Sequence, residues 1–329
     1  MERIKKPRVK IRFVDFWEGF NSTTDPIFGR FLKKHYNVEI SKDPDFLFFS
    51  DLGTSHREKR WNKCIKIFYT AENRGTPTPR GAIKKLAKRF RLLTRRKSIA
   101  PSGELKPIDF DYCDFAISHH CIDDHRHLRL PNFVRRYGLK TIRRLKQARK
   151  ADEIFQKKTK FCCFVYSNSR SEFQGVALRN RFFEMLSKYK KVDSAGAALN
   201  NMDGYIVPRD LDSYIDFIEK YKFMITFENQ KAAGYTTEKI FHAMLGGAVP
   251  IYWGNPDVWR DFNEKSFINC DRYDNNLGAV AKEVVKIDTN DALYCKYLAQ
   301  SCLTGSGYLE RLSDEVLIDY FDRVFGVGR

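Results

Sequence analysis

A chain of 329 residues is long enough for two domains, and its 43% hydrophobic content supplies apolar side chains for two cores. Its formal net charge of +18 favours an anionic partner, whether a nucleic acid, an acidic lipid or a nucleotide-sugar. No run of 18 apolar residues occurs, which excludes a transmembrane helix by this criterion. The basic N-terminus leads into an apparent strand without a small-residue cleavage site, so we expect no signal peptide.

The first half of the chain alternates short apolar strands with helical patterns. The predicted strands are Val9–Phe16, Asn37–Ile40, Phe46–Phe49 and Cys64–Thr70, with further pieces in Asp111–Ser118 and Leu128–Asn132. A helix is predicted over Asp25–Tyr36, with Phe28, Phe31 and Leu32 facing inward. This alternation indicates an α/β domain with a mainly parallel sheet.

Glu72 follows the strand Cys64–Thr70 directly. In an open α/β sheet, functional groups gather beyond the carboxyl ends of the strands. Position alone therefore makes Glu72 either a candidate catalytic carboxylate or a solvated loop residue.

The segment Arg80–Lys97 is the most basic part of the chain, and Ile83, Leu86, Phe90 and Leu93 line one side of its helical pattern. A basic amphipathic helix is typical of a peripheral contact with an anionic membrane surface. An ordinary helix packed on its own domain, with a solvated outer face, fits the same pattern.

The sequence predicts no metal site. His119, His120, His125 and His127 cluster with two aspartates, but no two of these histidines have the i, i+4 spacing of helical ligands. Three Asp-x-Asp triplets, which begin at Asp43, Asp109 and Asp210, are short enough to arise by chance. The eight cysteines are scattered without a Cys-x-x-Cys pair, which favours a reducing, cytoplasmic location.

The second domain is predicted to begin after a basic bridging helix over Thr141–Lys158, which places the domains at residues 1–158 and 159–329. It opens with a strand over Phe161–Tyr166, followed by a helix whose core stripe includes Phe182 and Leu186. Arg179 lies in this helix, away from the centre of the stripe. A guanidinium there could bind a pyrophosphate with two parallel hydrogen bonds, although Arg181 is close enough to be the ligand instead.

The most informative stretch is Phe223–Gly254. It reads as a buried strand over Phe223–Phe227, a loop, a helix capped by Thr236 and a second strand over Ala248–Trp253. The free N–H groups at a helix start attract anions, and Lys239 in the first turn adds a full positive charge. Glu238 beside it can accept hydrogen bonds from sugar hydroxyls.

The sequence motifs of this stretch resemble the donor-binding signature of the bacterial-type α1,3/α1,4-fucosyltransferases. The motifs are FEN (227–229), GYTTEKI (234–240), AVPIYWG (248–254) and SFIN (266–269), in that order. FYTAEN (68–73) and Arg179-Asn180 followed by FF-x-x-L resemble two further segments of the family. The resemblance implies an α/β fold of the GT-B type, with two Rossmann-like domains facing each other across a crevice.

The resemblance also implies an activity and the residues that carry it. L-Fucose would move from GDP-fucose, with inversion, to a GlcNAc hydroxyl of an N-acetyllactosamine or lacto-N-biose type glycan, giving a Lewis-type α1,3 or α1,4 product. Glu72 would be the general base, Arg179 and Lys239 the phosphate ligands, and Asn229, Tyr235 and Glu238 the groups that position ribose or fucose. No cofactor or metal ion is expected.

Two other interpretations stay open. The same fold could transfer another sugar from a nucleotide donor. The charge of +18 could instead mark a nucleic-acid-binding protein, but the basic residues concentrate in 80–97 and 135–160 without interleaved aromatic stacking platforms. We therefore expect no nucleic acid partner.

Overall fold

The computed structural model describes residues 6–73, 108–169 and 173–327. They form an α/β protein with two parallel sheets, which confirms the predicted fold class. The chain divides into a first unit, Met1–Leu139 with Leu312–Arg329, and a second unit, Lys140–Arg311.

The first unit is built on a six-stranded parallel sheet in the order β2-β1-β3-β4-β5-β6. Its strands are β1 (Arg8–Val14), β2 (Asn37–Ile40), β3 (Phe46–Phe49), β4 (Ile65–Tyr69), β5 (Phe115–Ser118) and β6 (His127–Arg129). The central strand β3 is apolar and buried along its whole length, as expected where both faces of a parallel sheet are covered, whereas β1 alternates basic with apolar residues.

The predicted first helix forms with an unusual start. Residues Pro26–Phe31 make a π-helical turn that runs into α1 (Leu32–His35), and the Asp25 carboxylate accepts the N–H groups of Ile27 and Phe28. Phe28, Phe31 and Leu32 are buried, as their spacing predicted.

The basic stretch before the second sheet is not the single helix predicted over Thr141–Lys158. It forms α3 (Leu139–Leu145), which follows α2 (Asn132–Tyr137), and then a separate α4 (Ala151–Gln156). Asp152 and Glu153 lie in the first turn of α4, where the helix dipole favours acidic residues. These acidic residues suit a new helix start rather than a helix interior.

The second unit holds a five-stranded parallel sheet in the order β11-β10-β9-β7-β8. Its strands are β7 (Lys160–Phe164), β8 (Val192–Ser194), β9 (Tyr221–Phe227), β10 (Val249–Trp253) and β11 (Ile268–Asn269). Its longer helices are α5 (Gln174–Ser187), α6 (Leu211–Ile218), α7 (Glu238–Leu245), α8 (Leu277–Asp288) and α9 (Asp291–Leu298). Apolar clusters that contain residues of β7 and β9, such as Phe223 and Met224, form the core.

The structure divides the chain differently from the predicted domains 1–158 and 159–329. After a short α10 (Tyr308–Arg311), the last helix, α11 (Asp314–Phe325), packs within the first unit. Its Asp322 carboxylate accepts the Tyr36 hydroxyl at 2.7 Å, and its Tyr320 hydroxyl donates to the Ala116 carbonyl at 3.0 Å. The stretch before the second sheet joins the second unit instead, because α4 packs against α9.

None of the helices in the described ranges has the length and apolarity that a membrane span requires. All eight cysteines carry free thiols.

Candidate functional site

The start of α7 is held by a buried carboxylate. The helix begins one residue later than predicted, with Thr237 rather than Thr236 at the N-cap. The Thr237 hydroxyl does not cap the helix, because Oγ1 donates to Glu228 Oε2 at 2.6 Å. The backbone N–H of Thr237 donates to Glu228 Oε1 at 2.7 Å. Glu228 follows β9 directly and is fully buried. The carboxyl end of β9 therefore fixes the first turn of α7.

Lys239 completes this arrangement. Its ammonium lies 3.0 Å from Glu228 Oε2 and donates to Thr237 Oγ1 at 2.7 Å. Burial alone would lower the pKa of Lys239, but the carboxylates of Glu228 and Glu238 outweigh it and raise that pKa. Lys239 is therefore a fixed cation at a helix start, as predicted. One of its three N–H donors has no partner among the described residues.

The turn after β10 supports the same site from the other side. A Cβ at Gly254 would lie 2.5 Å from Glu228 Cγ, and the φ angle of this residue is +150°, so a side chain here would displace the carboxylate. The amide of Asn255 accepts from the Gly234 N–H at 2.7 Å and donates to Thr236 Oγ1 at 2.9 Å. This amide links the two loops that follow β9 and β10.

Arg179 is fully buried beside this cluster. Its Nη1 donates to Asn229 Oδ1 at 2.8 Å, its Nη2 donates to the Asn168 carbonyl, and its guanidinium carbon lies 3.9 Å from the centre of the Tyr166 ring. Burial lowers the pKa of Arg179, whereas Tyr166 and Glu228 oppose that shift. Arg181, two positions on, is exposed on the other side of α5. Of the two candidate arginines, Arg179 is the one that lies beside Asn229.

A close approach of backbones makes this contact possible. Gly175, in the first turn of α5, donates its N–H to the Asn229 carbonyl at 3.1 Å. A Cβ at Gly175 would lie 1.9 Å from the Glu228 carbonyl oxygen. Glycine thus lets the start of α5 pack against the end of β9.

The remaining predicted residues are divided between the two units. Glu238 is the first residue of α7 and is partly exposed, whereas Tyr235 is only 2% exposed. Glu72 lies in the first unit, in a bend just past β4, and it is exposed. Its backbone exchanges two hydrogen bonds with the Thr70 hydroxyl, each 3.2 Å long. Five of the six predicted residues thus belong to the second unit.

The histidines of the first unit form a packed cluster. Ser118 Oγ lies 3.0 Å from His120 Nδ1 and 2.8 Å from His127 Nε2. Burial lowers the pKa of His120 to about 4 and that of His127 to about 3, so both rings are neutral near pH 7. Within the described ranges no group of three or more His, Cys, Asp or Glu side chains is arranged to hold a metal ion. The predicted basic helix over Arg80–Lys97 lies outside the described residues.

Sequence reasoning missed the groups that hold the predicted ligands in place. The sequence assigns no role to Glu228, which occurs only within the FEN motif, and places Tyr166 only at the end of a predicted strand. The available signal was their position, since each lies just past the carboxyl end of a parallel strand, the edge at which ligands bind in such sheets. Asn255, directly after Gly254, carried the same signal.

Family models match both halves of the chain. One, described as the C-terminal part of glycosyltransferase family 10 (fucosyltransferase), matches residues 155–301 and therefore contains the Glu228–Lys239 and Arg179–Asn229 contacts. Another, described as the alpha-(1,3)-fucosyltransferase FucT N-terminal domain, matches residues 11–136. The chain belongs to the family 10 fucosyltransferases. The resemblance seen in its sequence is confirmed.

The curated relatives differ in how much of the chain they share. The alpha-(1,3)-fucosyltransferase FucT of Helicobacter pylori is 25% identical over 97% of this chain, and the chain covers 66% of that protein. The GDP-fucose protein O-fucosyltransferase 3 of Xenopus laevis is 35% identical over 36% of this chain, which covers 27% of it. The chain thus spans less than two thirds of the length of these relatives.

Solved structures agree with the fold. A crystal structure of an alpha1,3-fucosyltransferase matches with a TM-score of 0.75 and 23% identity. The match covers 100% of this chain and 93% of the crystallised chain. A crystal structure of alpha1,3-fucosyltransferase with GDP-fucose matches with a TM-score of 0.72 and 22% identity, over 100% of this chain and 94% of the crystallised chain. At this identity the likeness establishes the two-domain GT-B fold.

Proposed function

We propose that this family 10 member transfers fucose from GDP-fucose to a GlcNAc hydroxyl of an N-acetyllactosamine or lacto-N-biose type glycan, through an α1,3 or α1,4 link. The observation that carries the proposal is the buried contact of Glu228, Thr237 and Lys239 at the start of α7. A fixed ammonium beside a helix N-terminus is suited to a diphosphate, because both attract negative charge. The relative from H. pylori, named as an alpha-(1,3)-fucosyltransferase, supports the sugar and the link.

The proposed reaction is a single displacement that inverts the anomeric carbon. Glu72 takes the proton of the acceptor hydroxyl while that oxygen bonds to C1 of fucose. The bond from C1 to the phosphate oxygen breaks, and GDP leaves with the bonding electrons. Lys239 and the start of α7 stabilise the charge that grows on the departing diphosphate. We propose that this charge stabilisation needs no metal ion.

Arg179 differs from Lys239, because it is fully buried and both of its terminal nitrogens already donate hydrogen bonds, to Asn229 and to the Asn168 carbonyl. We propose that it holds Asn229 and the backbone at Asn168 in position, and that it reaches the diphosphate after the Asn168 contact is exchanged. Asn229, Tyr235 and Glu238 would then position the ribose or fucose hydroxyls.

A second acceptor class has specific support. The relatives named as GDP-fucose protein O-fucosyltransferase 3 are 32% to 35% identical to this chain over 36% of its length. A protein hydroxyl is therefore the alternative acceptor to a glycan. The donor would be GDP-fucose in both cases.

A single assay tests donor and acceptor together. Labelled GDP-fucose is incubated with a type 1 disaccharide, a type 2 disaccharide, a folded serine-rich protein, or buffer, and the products are identified by mass spectrometry and linkage analysis. We expect transfer to a disaccharide. Transfer only to the protein would support the second acceptor class. Turnover of a competing nucleotide-sugar but not of GDP-fucose would contradict the proposal.

A further inference from the structure

The second unit contains a basic pocket at the edge of its sheet opposite the predicted donor site. This cavity of about 350 Å3 lies between the segment 144–158 and the C-terminal end of α7. Its floor is formed by residues that precede strands: Lys158 before β7, Glu219 before β9 and Gly247 before β10. Because these strands are parallel, the pocket lies at their amino ends, whereas Glu228 and Lys239 lie at the carboxyl ends.

Positive charge dominates the walls of this basic pocket. Five basic side chains line it, but only two acidic ones do. The acidic residues are already paired, Glu153 with Lys150 at 2.7 Å and Glu219 with Lys157 at 3.0 Å. Arg144, Arg149 and Lys158 have no carboxylate partner among the described residues.

Arg149 is the most informative of the three. Its terminal nitrogens Nη1 and Nη2 are both buried, and the acceptor beside them among the described residues is the weak one of the Cys302 thiol rather than an oxygen. The guanidinium lies near the Cys302 thiol, where it opposes the burial that raises the pKa of that thiol. A buried guanidinium whose terminal donors meet only a thiol is unfavourable unless a stronger acceptor arrives. The fork of these two donors matches two oxygens of a phosphate group.

Lys158 removes an obstacle to anion binding. The carbonyl ends of α6 and α7 point toward the pocket and would repel an anion. The Lys158 ammonium donates to the Glu219 carbonyl at 2.8 Å and to the Gly246 carbonyl at 3.1 Å. Burial and the positive charge of Arg149 lower the pKa of Lys158 to about 7. A dianion beside it would restore its proton.

We propose that the pocket of Arg144, Arg149 and Lys158 binds a phosphate monoester dianion, with Arg149 as its bidentate ligand. A volume of about 350 Å3 lies at the lower end of small-molecule sites, so the remainder of the ligand is small or extends into solvent. The phosphate group belongs either to a soluble metabolite or to a lipid headgroup at a membrane surface. The site is separate from the donor site and does not depend on the proposed transferase activity.

The test uses the full chain with saturating GDP and measures binding of inorganic phosphate by calorimetry. Arg149→Met should weaken phosphate binding by about tenfold or more, because it removes a charge and two donors. Arg143→Met is the matched control, since Arg143 is exposed on α3, does not line the pocket and loses the same charge. Arg179→Met is the second control, because it alters the carboxyl edge and leaves the pocket intact.

A second variant and a second probe complete the experiment. Arg149→Lys keeps the charge without the fork and should bind phosphate with intermediate affinity, which separates a lost ligand from a misfolded chain. Vesicles of phosphatidylcholine with one fifth phosphatidic acid identify the source: Arg149-dependent sedimentation indicates a lipid headgroup, and binding of free phosphate alone indicates a metabolite. Absence of saturable phosphate binding, or equal weakening by Arg149→Met and Arg143→Met, would overturn the proposal.

Discussion

The carboxyl edges of the two sheets differ in the burial of the glutamate that each carries. In the second unit the edge carries a fully buried carboxylate, Glu228, which accepts three hydrogen bonds from Thr237 and Lys239. In the first unit the edge presents Glu72 exposed, and its backbone is held by the Thr70 hydroxyl. A group that stabilises a leaving diphosphate gains from a rigid, dry setting, whereas a group that takes a proton must stay accessible to its substrate. We therefore propose the edge of the second unit as the binding edge and the edge of the first unit as the chemical edge.

The largest expected effect is on the rate at the exposed edge. Glu72→Gln keeps the shape of the side chain but removes its basicity, so kcat should fall by about 10²–10⁴-fold. GDP affinity should stay within about twofold, because in the proposed mechanism Glu72 acts on the acceptor rather than on the nucleotide. Steady-state rates and calorimetric titration with GDP measure the two quantities. Near-normal turnover, or a large loss of GDP affinity, would remove Glu72 from the role of base.

The next effect is on stability at the buried edge. Lys239→Met leaves the Glu228 carboxylate buried without its cation, which should lower the free energy of unfolding by about 3–5 kcal/mol. The double variant Glu228→Gln with Lys239→Met should be more stable than Lys239→Met alone, since no buried charge remains. Urea denaturation of the wild type, both single variants and the double variant measures this coupling. Additive losses would show that the pair is not coupled.

The same variant has a pH signature with a definite sign. In Lys239→Met, burial still raises the pKa of Glu228 above its value in the unfolded chain. The folded state then binds more protons than the unfolded state, so stability should increase as the pH falls from 8 toward 5. Glu228→Gln in the Lys239→Met background should abolish this increase. A flat profile for Lys239→Met would mean that Glu228 finds another cation.

The sequence predicted the strands that form both carboxyl edges. It did not predict the buried hydrogen bonds of Glu228 that fix the edge of the second unit. Phe46–Phe49 was found at its observed bounds, because an apolar run between turn residues marks a buried parallel strand. Asn37–Ile40 was also found at its observed bounds, although it is a partly exposed edge strand. Lys239 and Arg179 were predicted as phosphate ligands by motif and by place in the fold, and this remains a prediction. Glu228 was overlooked as a site residue because a buried carboxylate is recognised only when its partners are known, and Thr237 and Lys239 are 9 and 11 positions away.

The division of the chain into two units also depends on contacts that local sequence patterns do not reveal. Periodicity finds the last helix, but no local pattern reveals that Tyr320 and Asp322 form hydrogen bonds with Ala116 and Tyr36, which lie 204 and 286 positions earlier. The break between α3 and α4 likewise depends on packing against residues such as Tyr294. Contacts of long sequence separation decide these features.

A smaller effect distinguishes the two arginines of α5. Arg179→Met should weaken GDP binding by about tenfold or more, because a charge-assisted contact is lost and Asn229 is released. Arg181→Met is the matched control and should change GDP affinity by less than about twofold, because Arg181 is exposed on the other side of the helix. Calorimetry with GDP measures both. Equal losses would mean that net charge, rather than the position of Arg179, governs nucleotide binding.

The smallest expected effect follows from removing divalent metal. If Lys239 and the start of α7 supply the charge that the departing diphosphate requires, the initial rate with GDP-fucose should change by less than about twofold when EDTA replaces added magnesium or manganese. The buried edge predicts this insensitivity, because its cation is fixed by Glu228 and Thr237 before substrate arrives. Lys239→Met sharpens the test, since in that variant an added divalent ion has a missing charge to replace and should restore part of the rate. Activity of the wild type that EDTA abolishes and only a divalent ion restores would show that the protein cation is insufficient, and the proposed assignment of the binding edge would then fail.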